Sequence, residues 1–591
     1  MSETYQKIRL RVVAAGASRS CLHAPGRPAV IEVPRMVGDA LARCDHFATI
    51  DEHTERAVRQ LRLPADRREP LREALEHLAR QGWLVSKSEL LRCARETTVS
   101  RRAPLESIGI PSKRRPDSLA RCVRSVAEHA RRHDRNARLV VADSTPIAEA
   151  SKPRAVMLSL ASELGIDIRW IGLEERARWG GQLAARAGAP REIVEFALLG
   201  SASSDNDIGA NRNTLLLAHA GQAFVSCDDD ILFELRTRPD ASSGVVLSDG
   251  PASFTLHADF ESAREALIGS PSCLFDLHER VLGHSVGTCV AGLDDAAVTV
   301  HSIGSTSLSS VLDGRARVVV SFAGLFGDAG ASYPVHYLWA HDDIRSQLLG
   351  GAEQYRSLVE GRQLVRVPRE LTLSSGRSSM TTSFALDATR IVPPFFPVLR
   401  GEDLIFGAIV GACWQDALFA HLPCALAHRP MEPRRASLDR LWDPEPAMSF
   451  YGVLLGVLRL TLPAPNLAAT GEDRMRRLGR ALRELSALRE ADLLAMIREI
   501  LIENIARQVG RLEELLRTSQ GSPDYWANNL GRYIAHQLQV VQNPDLPIPR
   551  ELARTREPAQ ELKVLIDAYG RLIEAWPEIF AAARQLGPPE P

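Results

Sequence analysis

The sequence predicts an α/β protein whose central region is preceded by a small α+β domain and followed by an all-helical region. Three observations support this. The central region alternates apolar strand-like runs with helical patterns, short β-like pieces precede it, and long Leu/Arg/Glu-rich helical patterns follow it. The expected domains are residues 1–103, 104–435 and 436–591. A chain of 591 residues with 45% hydrophobic content is long enough to build three domains with cores of their own.

Charge and composition argue against several classes of function. The formal net charge is −1, so no overall basic field attracts nucleic acid, and we expect no nucleic-acid partner. The nine cysteines form no Cys-x-x-Cys pair, which favours reduced thiols and a cytoplasmic location. We expect no membrane span, because the apolar run at residues 450–462 is short and contains Arg459.

The N-terminal region mixes β-like pieces at residues 8–13 and 29–33 with helical patterns. The clearer helix covers residues 69–81, where apolar residues recur at helical spacing. Gly82 ends this helix, and Trp83-Leu84-Val85 follows it. These features predict a compact α+β unit.

The central region contains four strand-like runs, and polar residues follow the first, second and fourth of them. The runs cover residues 108–111, 138–142, 166–171 and 224–227. Between the third and fourth runs, Gly209 opens a helix. Because the carboxyl ends of parallel strands meet at one edge of a sheet, we expect a ligand site at this edge.

The fourth run is the most informative because it ends in three consecutive carboxylates, Asp228, Asp229 and Asp230. Several acids at the end of a buried strand are costly unless a cation neutralises them. The run therefore predicts a divalent metal that carries a phosphate, such as the phosphate of a nucleotide. An acidic strand-to-helix turn with Asp as the helix N-cap is the alternative interpretation.

In this order the motifs resemble those of nucleotide-diphosphate-sugar glycosyltransferases of the GT-A fold, especially the large bacterial family 2. Members begin with a strand that runs into Pro-Thr-x-x-Arg-Pro, which Pro111-Ser112 and Arg115-Pro116 match. Their Asp-Asp-Gly-Ser corresponds to residues 142–145, and their Asp-x-Asp to residues 228–230. Their Gly-x-x-x-Ala-Arg-Asn has a shorter counterpart at residues 209–213. Ala142 departs from the pattern, and the segment before Gly209 is unusually long.

The resemblance implies a Rossmann-like GT-A central domain that binds a nucleotide-diphosphate sugar as donor. Asp143 would contact the base, Arg212 the diphosphate and Asp228 the ribose. Asp230, with Asp228, would bind Mn²⁺ or Mg²⁺. A turn-forming Asp143 and a solvated helical Arg212 are the alternatives. The residues implied for donor binding are Pro111, Ser112, Arg115, Asp143, Arg212, Asp228 and Asp229.

The acidic pair Glu402-Asp403 follows a glycine and opens an apolar helix, so both acids can face a cleft. In the family an acidic pair at this position lies beneath the acceptor. This implies Asp403 as the base that deprotonates the attacking hydroxyl and Glu402 as an acceptor contact. Transfer with inversion needs such a base opposite the departing diphosphate. Capping of the helix N-terminus by two acids is the alternative.

A strand-like piece at residues 422–428 ends in His428. Some GT-A enzymes supply a His after the catalytic acid as a further metal ligand, which implies this role for His428. A structural histidine is the alternative.

The helix that ends in Leu-x-x-x-Gly-Trp-Leu, at residues 78–84, resembles the winged-helix modules that bind leader peptides in ribosomal peptide natural-product pathways. The resemblance implies a precursor-peptide acceptor docked on residues 1–103 as an added β-strand, and a scaffolding domain is the alternative. The C-terminal helical patterns, at residues 473–518, 522–541 and 559–586, carry no chemical motif. We expect them to cover the acceptor cleft or to form a homo-oligomer.

Together these features predict a metal-dependent, inverting glycosyltransferase with a peptide or natural-product acceptor. A glycan-assembling transferase and a catalytically inactive sugar-nucleotide or peptide-binding module are the alternatives. The joint presence of Asp228, Asp230 and Asp403 speaks against an inactive module. A nucleotidyltransferase-like enzyme would show a Gly-rich loop after the first strand, and residues 112–116 contain no glycine.

Overall fold

The computed structural model describes residues 2–100, 104–201, 204, 206–250, 253–330, 334–340, 342–376, 380–438, 449–461, 469–519 and 521–589. Within them the chain is a mixed α/β protein with one large mixed sheet and a C-terminal helical region. The coarse fold class predicted from the sequence is therefore confirmed. The predicted domain boundary at residue 103 lies outside the described residues.

The N-terminal region contains two small sheets. Strands β2, β3 and β4 form an antiparallel sheet, and β1 pairs with β5. The predicted helix at residues 69–81 is α3, whose buried Leu71, Leu75 and Leu78 pack in a cluster with Trp83. The elements are β1 (Tyr5–Lys7), β2 (Arg11–Ala15), β3 (Arg19–His23), β4 (Ile31–Pro34), α1 (Arg35–Leu41), α2 (Ile50–Leu61), α3 (Arg68–Arg80), β5 (Leu84–Ser86) and α4 (Lys87–Glu96).

The central region alternates strands and helices as expected. Its first half contains β6 (Leu105–Ser112), α5 (Pro116–Arg132), β7 (Arg138–Asp143), α6 (Ser151–Leu164), β8 (Ile168–Ile171), α7 (Leu173–Ala187), α8 (Arg191–Leu199), α9 (Ile208–Ala218), β9 (Ala223–Cys227), β10 (Ile231–Thr237), β11 (Val245–Leu247), β12 (Thr255–His257), α10 (Phe260–Glu265) and β13 (Ile268–Gly269). Its second half contains α11 (Leu274–Glu279), α12 (Val286–Cys289), β14 (Val298–Val300), α13 (Ser305–Leu312), β15 (Arg317–Asp328), α14 (Asp342–Leu348), α15 (Ala352–Gly361), β16 (Gln363–Arg366), β17 (Leu371–Ser374), β18 (Ser383–Asp387), α16 (Glu402–Cys413) and β19 (Ala417–His428).

Fourteen strands of the described chain form the large sheet, with a main path of β14-β11-β17-β19-β15-β18-β9-β6-β7-β8. Strands β9, β6, β7 and β8 are parallel neighbours, whereas β18 runs antiparallel to β9. After β8 the chain returns across β6 to form β9 on its other side. This reversal of strand order is a switch point, where the carboxyl ends of the two strands leave a crevice for a ligand.

Each face of the sheet carries its own apolar cluster. Phe224 of β9 belongs to one cluster and its neighbour Val225 to the other, because successive strand residues point to opposite faces. The Val225 cluster also contains Leu90, Leu91 and Ala94 of α4. Helix α4 therefore packs into the central core, although it precedes residue 103.

The C-terminal helices pack on the Phe224 face of the sheet. They hold the segment before α16 by two hydrogen bonds: Tyr569 Oη donates to the Pro394 carbonyl at 3.0 Å, and Trp576 Nε1 to the Val392 carbonyl at 2.7 Å. No helix in the described part of the chain combines the length and apolar character that a bilayer crossing needs. The helices are α17 (Phe450–Thr461), α18 (Gly471–Ser486), α19 (Glu490–Thr518), α20 (Asp524–Gln542) and α21 (Pro558–Leu586).

Candidate functional site

The ends of β6 and β9 meet at the switch point of the sheet. Ser112 Oγ, at the end of β6, donates a hydrogen bond to Asp229 Oδ2 at 2.9 Å. Ser112 also lies opposite Asp143 in the parallel register of β6 and β7, where Pro111 faces Ala142. The ends of three strands singled out from the sequence, β6, β7 and β9, are therefore neighbours in space.

The acidic run lies in a turn between two strands. Strand β10 begins at Ile231, so the alternative of an Asp that caps a helix is wrong. Arg115 Nη1 lies 3.1 Å from Asp229 Oδ1 and 3.4 Å from Asp230 Oδ2. Burial and the neighbouring Asp230 raise the pKa of Asp229 to about 7, although Arg115 opposes the shift.

Asp230 and His428 form a buried pair. His428 Nε2 lies 3.1 Å from Asp230 Oδ1, and its Nδ1 lies 2.6 Å from the Asp328 carbonyl oxygen. Burial alone would raise the pKa of Asp230, but the contact with His428 and the charges of Arg115 and Arg434 lower it well below its usual range. The pKa of His428 is raised, because the Asp230 contact outweighs burial.

Arg212 joins the acidic run to the start of α16. Its Nη2 donates to Asp228 Oδ1 at 2.9 Å, and its Nε donates to Glu402 Oε1 at 3.2 Å. The side chain is only 4% exposed, so the alternative of a solvated helix residue is wrong. Its Nη1 is buried without a hydrogen-bond acceptor among the described residues.

Helix α9 positions this arginine through the two asparagines beside it. Asn211 Nδ2 donates to the Ser112 carbonyl at 3.0 Å, at the end of β6. Asn213 forms two hydrogen bonds with the backbone of Phe395, one to its carbonyl at 2.9 Å and one from its N–H at 2.8 Å. Three consecutive residues thus connect β6, the acidic run and the segment that leads into α16.

Asp403 lies in the first turn of α16, beside Glu402. Burial and the like charge of Glu402 raise the pKa of Asp403 to about 7, although Arg212 opposes the shift. A carboxylate with a pKa near neutrality is suited to accept a proton during catalysis. The N-terminus of α16 also places a positive dipole end at this position, as expected for acids in a first helical turn.

Asp143 carries a free buried acceptor. Its Oδ1 accepts the Thr145 N–H at 2.5 Å, which confirms the turn-forming interpretation, but its Oδ2 is buried and has no partner among the described residues. Burial raises the pKa of this carboxyl group. Since buried polar atoms are nearly always hydrogen-bonded, an orphaned oxygen marks a position that a ligand N–H would satisfy.

Only some of the residues expected to bind a metal ion have a geometry that suits this role. The 3.1 Å between Asp230 Oδ1 and His428 Nε2 suits two ligands of one ion with bonds of about 2.1 Å. Asp228, however, is held by Arg212. Among the residues that the structure describes, no group of three His, Cys, Asp or Glu side chains could hold a metal ion. A bound substrate would have to complete the coordination, and metal binding stays a prediction.

The structure thus gathers the predicted site residues at one edge of the sheet, and it adds others that the sequence did not single out. Arg434 Nη2 lies 3.3 Å from Asp230 Oδ2, and Ser118 Oγ donates to the Asp229 carbonyl at 3.0 Å. Buried Arg176 donates to Ser144 Oγ at 3.2 Å, behind the end of β7. Only the unusual length of the segment before Gly209 could have drawn attention to Arg176.

Comparison with protein-family models gave no match, and comparison with curated proteins gave no significant match.

Proposed function

We propose that this protein is a glycosyltransferase that moves a sugar from a nucleotide diphosphate to a hydroxyl group of a peptide or natural product. One observation carries the proposal: the Arg212 guanidinium contacts both Asp228 and Glu402. The acids expected to bind the donor and the acidic pair expected to act on the acceptor thus share one buried cation. The GT-A fold suits a site at a switch point, where α/β sheets bind nucleotides.

Two buried atoms support a nucleotide donor. Asp143 Oδ2 and Arg212 Nη1 are buried without a hydrogen-bond partner in the described ranges of the chain. Asp143 Oδ2 would accept an N–H of the base, and Arg212 Nη1 would donate to a diphosphate oxygen. A carboxylate oxygen accepts hydrogen bonds and a guanidinium donates them. These groups complement the two ends of a nucleotide diphosphate, because the base carries N–H donors and the diphosphate carries negatively charged oxygens. Asp228, whose side chain is 29% exposed, is accessible for a ribose hydroxyl.

Asp403 supplies the base of the reaction. Its carboxylate accepts the proton of the attacking hydroxyl while the oxygen forms a bond with the anomeric carbon of the sugar. The bond from that carbon to the diphosphate oxygen breaks, and its electron pair leaves with the diphosphate. Attack opposite the leaving group inverts the anomeric centre. Arg212 stabilises the negative charge that develops on the diphosphate.

A divalent ion, Mn²⁺ or Mg²⁺, held by Asp230 and His428 would add positive charge beside the diphosphate. Ligation requires a neutral imidazole, whereas the contacts of His428 with Asp230 and Asp328 favour the protonated ring. We therefore expect metal binding to release a proton and to strengthen as pH rises.

The N-terminal region suits the docking of a peptide acceptor. Among the described strands β4 pairs only with β3, so its outer edge can accept an extended peptide. The region is attached to the central region by hydrogen bonds: Phe47 N–H donates to the His301 carbonyl at 2.7 Å, and the Gln6 side-chain Nε2 donates to the Ile303 carbonyl at 2.6 Å. A docked peptide would be tethered near the transferase site.

The proposal is tested by incubating the protein with UDP-, GDP- and dTDP-sugars, with and without Mn²⁺. We expect one donor to raise the melting temperature and to be hydrolysed slowly, with release of its nucleoside diphosphate. Asp403→Asn should keep the thermal stabilisation and lose the hydrolysis, whereas Asp492→Asn, in the C-terminal helices, should keep both. Unchanged melting with every donor contradicts the proposal, and stabilisation without hydrolysis or transfer indicates an inactive binding module.

A further inference from the structure

A cavity of about 380 Å³, separate from the candidate transferase site, lies against strands β11, β15, β17 and β19. Its apolar walls include Val246, Phe322, Leu325 and Met380. This volume falls at the lower end of the range of small-molecule sites, about 300–1,000 Å³. None of the acids or cations of the candidate transferase site lines it.

Arg366 lines this cavity, and its guanidinium has no acidic partner within the part of the chain that the structure describes. It lies over the ring of Phe254, 5.6 Å from the ring centroid, and no carboxylate of the described residues forms an ion pair with it. Burial lowers the pKa of Arg366, because the charged form is partly removed from water without a compensating acid. Unpaired charge beside an apolar cavity is costly unless a ligand balances it.

Asp249 and His421, two further polar residues of the wall, already have hydrogen-bond partners. Both carboxylate oxygens of Asp249 accept hydrogen bonds from Ser375, each at 2.6 Å. His421 Nε2 lies 3.2 Å from Ser374 Oγ, and burial together with Arg366 lowers the pKa of His421 to about 4, so the ring is neutral at physiological pH.

The remaining charged groups in the described wall are Glu370 and Arg369, which carry opposite charges. Glu370 Oε1 accepts the Ser242 hydroxyl, and Arg369 Nε donates to the Asp240 carbonyl at 2.9 Å. With Asp249 and Arg366, the described wall therefore holds two acids and two guanidinium groups, and their formal charges sum to zero. Both acids accept hydrogen bonds from serine residues, whereas Arg366 forms no ion pair with a described residue. The single guanidinium of Arg366 matches a monoanion better than a phosphate dianion.

We infer that this cavity binds a small organic carboxylate with an aromatic or branched apolar body, held by Arg366 through its carboxylate. The planar guanidinium matches a carboxylate in a bidentate arrangement. The body of the ligand would pack against Phe322 and His421, which line the cavity and whose stacked rings have centroids 5.3 Å apart. This inference does not depend on the proposed transferase activity.

The test uses three acids, benzoate, 3-phenylpropionate and indole-3-acetate, and the uncharged amide of each. Binding to the full-length protein is titrated by saturation-transfer NMR. We expect at least one acid to bind about 10–100-fold more tightly than its amide, as a charge-assisted hydrogen-bond pair implies. Arg366→Gln should abolish this preference, and Arg366→Lys should keep part of it.

Arg27→Gln is the matched control, because Arg27 also lies over an aromatic ring, 4.9 Å from the centroid of Trp83, but in the N-terminal region. It should bind like the wild type. If no acid binds the wild type, or if acid and amide bind equally, the inference is wrong. The same holds if the preference survives in Arg366→Gln. If Arg366→Gln fails to fold, the inference is still tested by comparing the binding of each acid and its amide to the wild type and to Arg366→Lys.

Discussion

Arg212 and Glu402 are 190 residues apart in the sequence and in direct contact in the fold, with Arg212 Nε donating to Glu402 Oε1 at 3.2 Å. Their side chains are 4% and 8% exposed. Through its second contact, with Asp228, the same guanidinium fixes the start of α16 against the acidic run. The placement of Asp403 relative to the donor acids therefore depends on one buried cation.

Removal of this cation should destabilise the protein strongly. Arg212→Gln leaves Glu402 and Asp228 without their counter-charge, and loss of one partner of a buried ion pair costs about 3–5 kcal/mol. The matched control is Arg191→Gln, which breaks an exposed pair with Glu195 and should change stability little. Urea unfolding followed by circular dichroism measures both. Equal losses in the two variants would contradict the role given to Arg212.

The sequence predicted the elements around the site well, because strand-terminal acids and helix-opening glycines are local signals. Helices α3, α9 and α16 begin within a residue of their predicted positions. The pattern at residues 473–518, however, is two helices, α18 and α19, interrupted at residues 487–489. No proline or glycine marks that interruption. The helical spacing of apolar residues continues across it, so the sequence predicted one continuous helical pattern.

The partners of the site residues were harder to predict, since they come from distant segments. Arg434 reaches Asp230 from the loop after β19, and Asn213 binds the backbone of Phe395 across 182 residues. Such contacts depend on which strands become neighbours, and a single sequence contains no signal for that pairing. The packing of α4 into the central core was missed for the same reason.

Asp403 should set the pH dependence of transfer. A base with a pKa of about 7 is protonated below neutrality, so kcat/KM should fall about tenfold for each pH unit below 7. Asp403→Asn should lower kcat about 10²–10⁴-fold and remove this acidic limb. Glu402→Gln removes the like charge that raises the pKa of Asp403. The acidic limb of the kcat/KM profile of this variant should therefore shift to lower pH. An unchanged acidic limb in Asp403→Asn would assign the base to another residue.

Gly209 permits the close approach of α9 to the segment before α16. A Cβ at this position would lie 1.8 Å from the Phe396 carbonyl oxygen. Gly209→Ala must therefore displace either helix α9 or the segment before α16. We expect a lower melting temperature and lower transfer activity. Gly181→Ala, in helix α7 with open space around it, should keep activity and gain up to about 1 kcal/mol of stability. Equal activity of the two variants would show that the segment moves freely.

Metal and nucleotide should bind together, because Asp230 and His428 alone supply an incomplete set of ligands. Calorimetry with Mn²⁺ and the nucleoside diphosphate of the donor should show nucleotide affinity that depends on the metal and is lost in Asp230→Ala. Asp240→Ala, which removes an acid paired with Arg238 at the surface, is the control and should bind normally. Metal-dependent affinity that persists in Asp230→Ala would place the ion elsewhere.

The N-terminal region should determine which acceptor the protein serves. Because α4 packs in the central core, a truncated protein should begin at Lys87 and keep this helix. It loses the β2–β3–β4 sheet, so it should retain donor binding and slow donor hydrolysis, which need only the central region, and lose most activity on a full-length peptide acceptor. The two proteins are compared on the same peptide and on its modified segment alone, where docking gives no advantage. If the rates on the full-length peptide are equal, the N-terminal region is a scaffold, and a small-molecule or glycan acceptor becomes the better hypothesis.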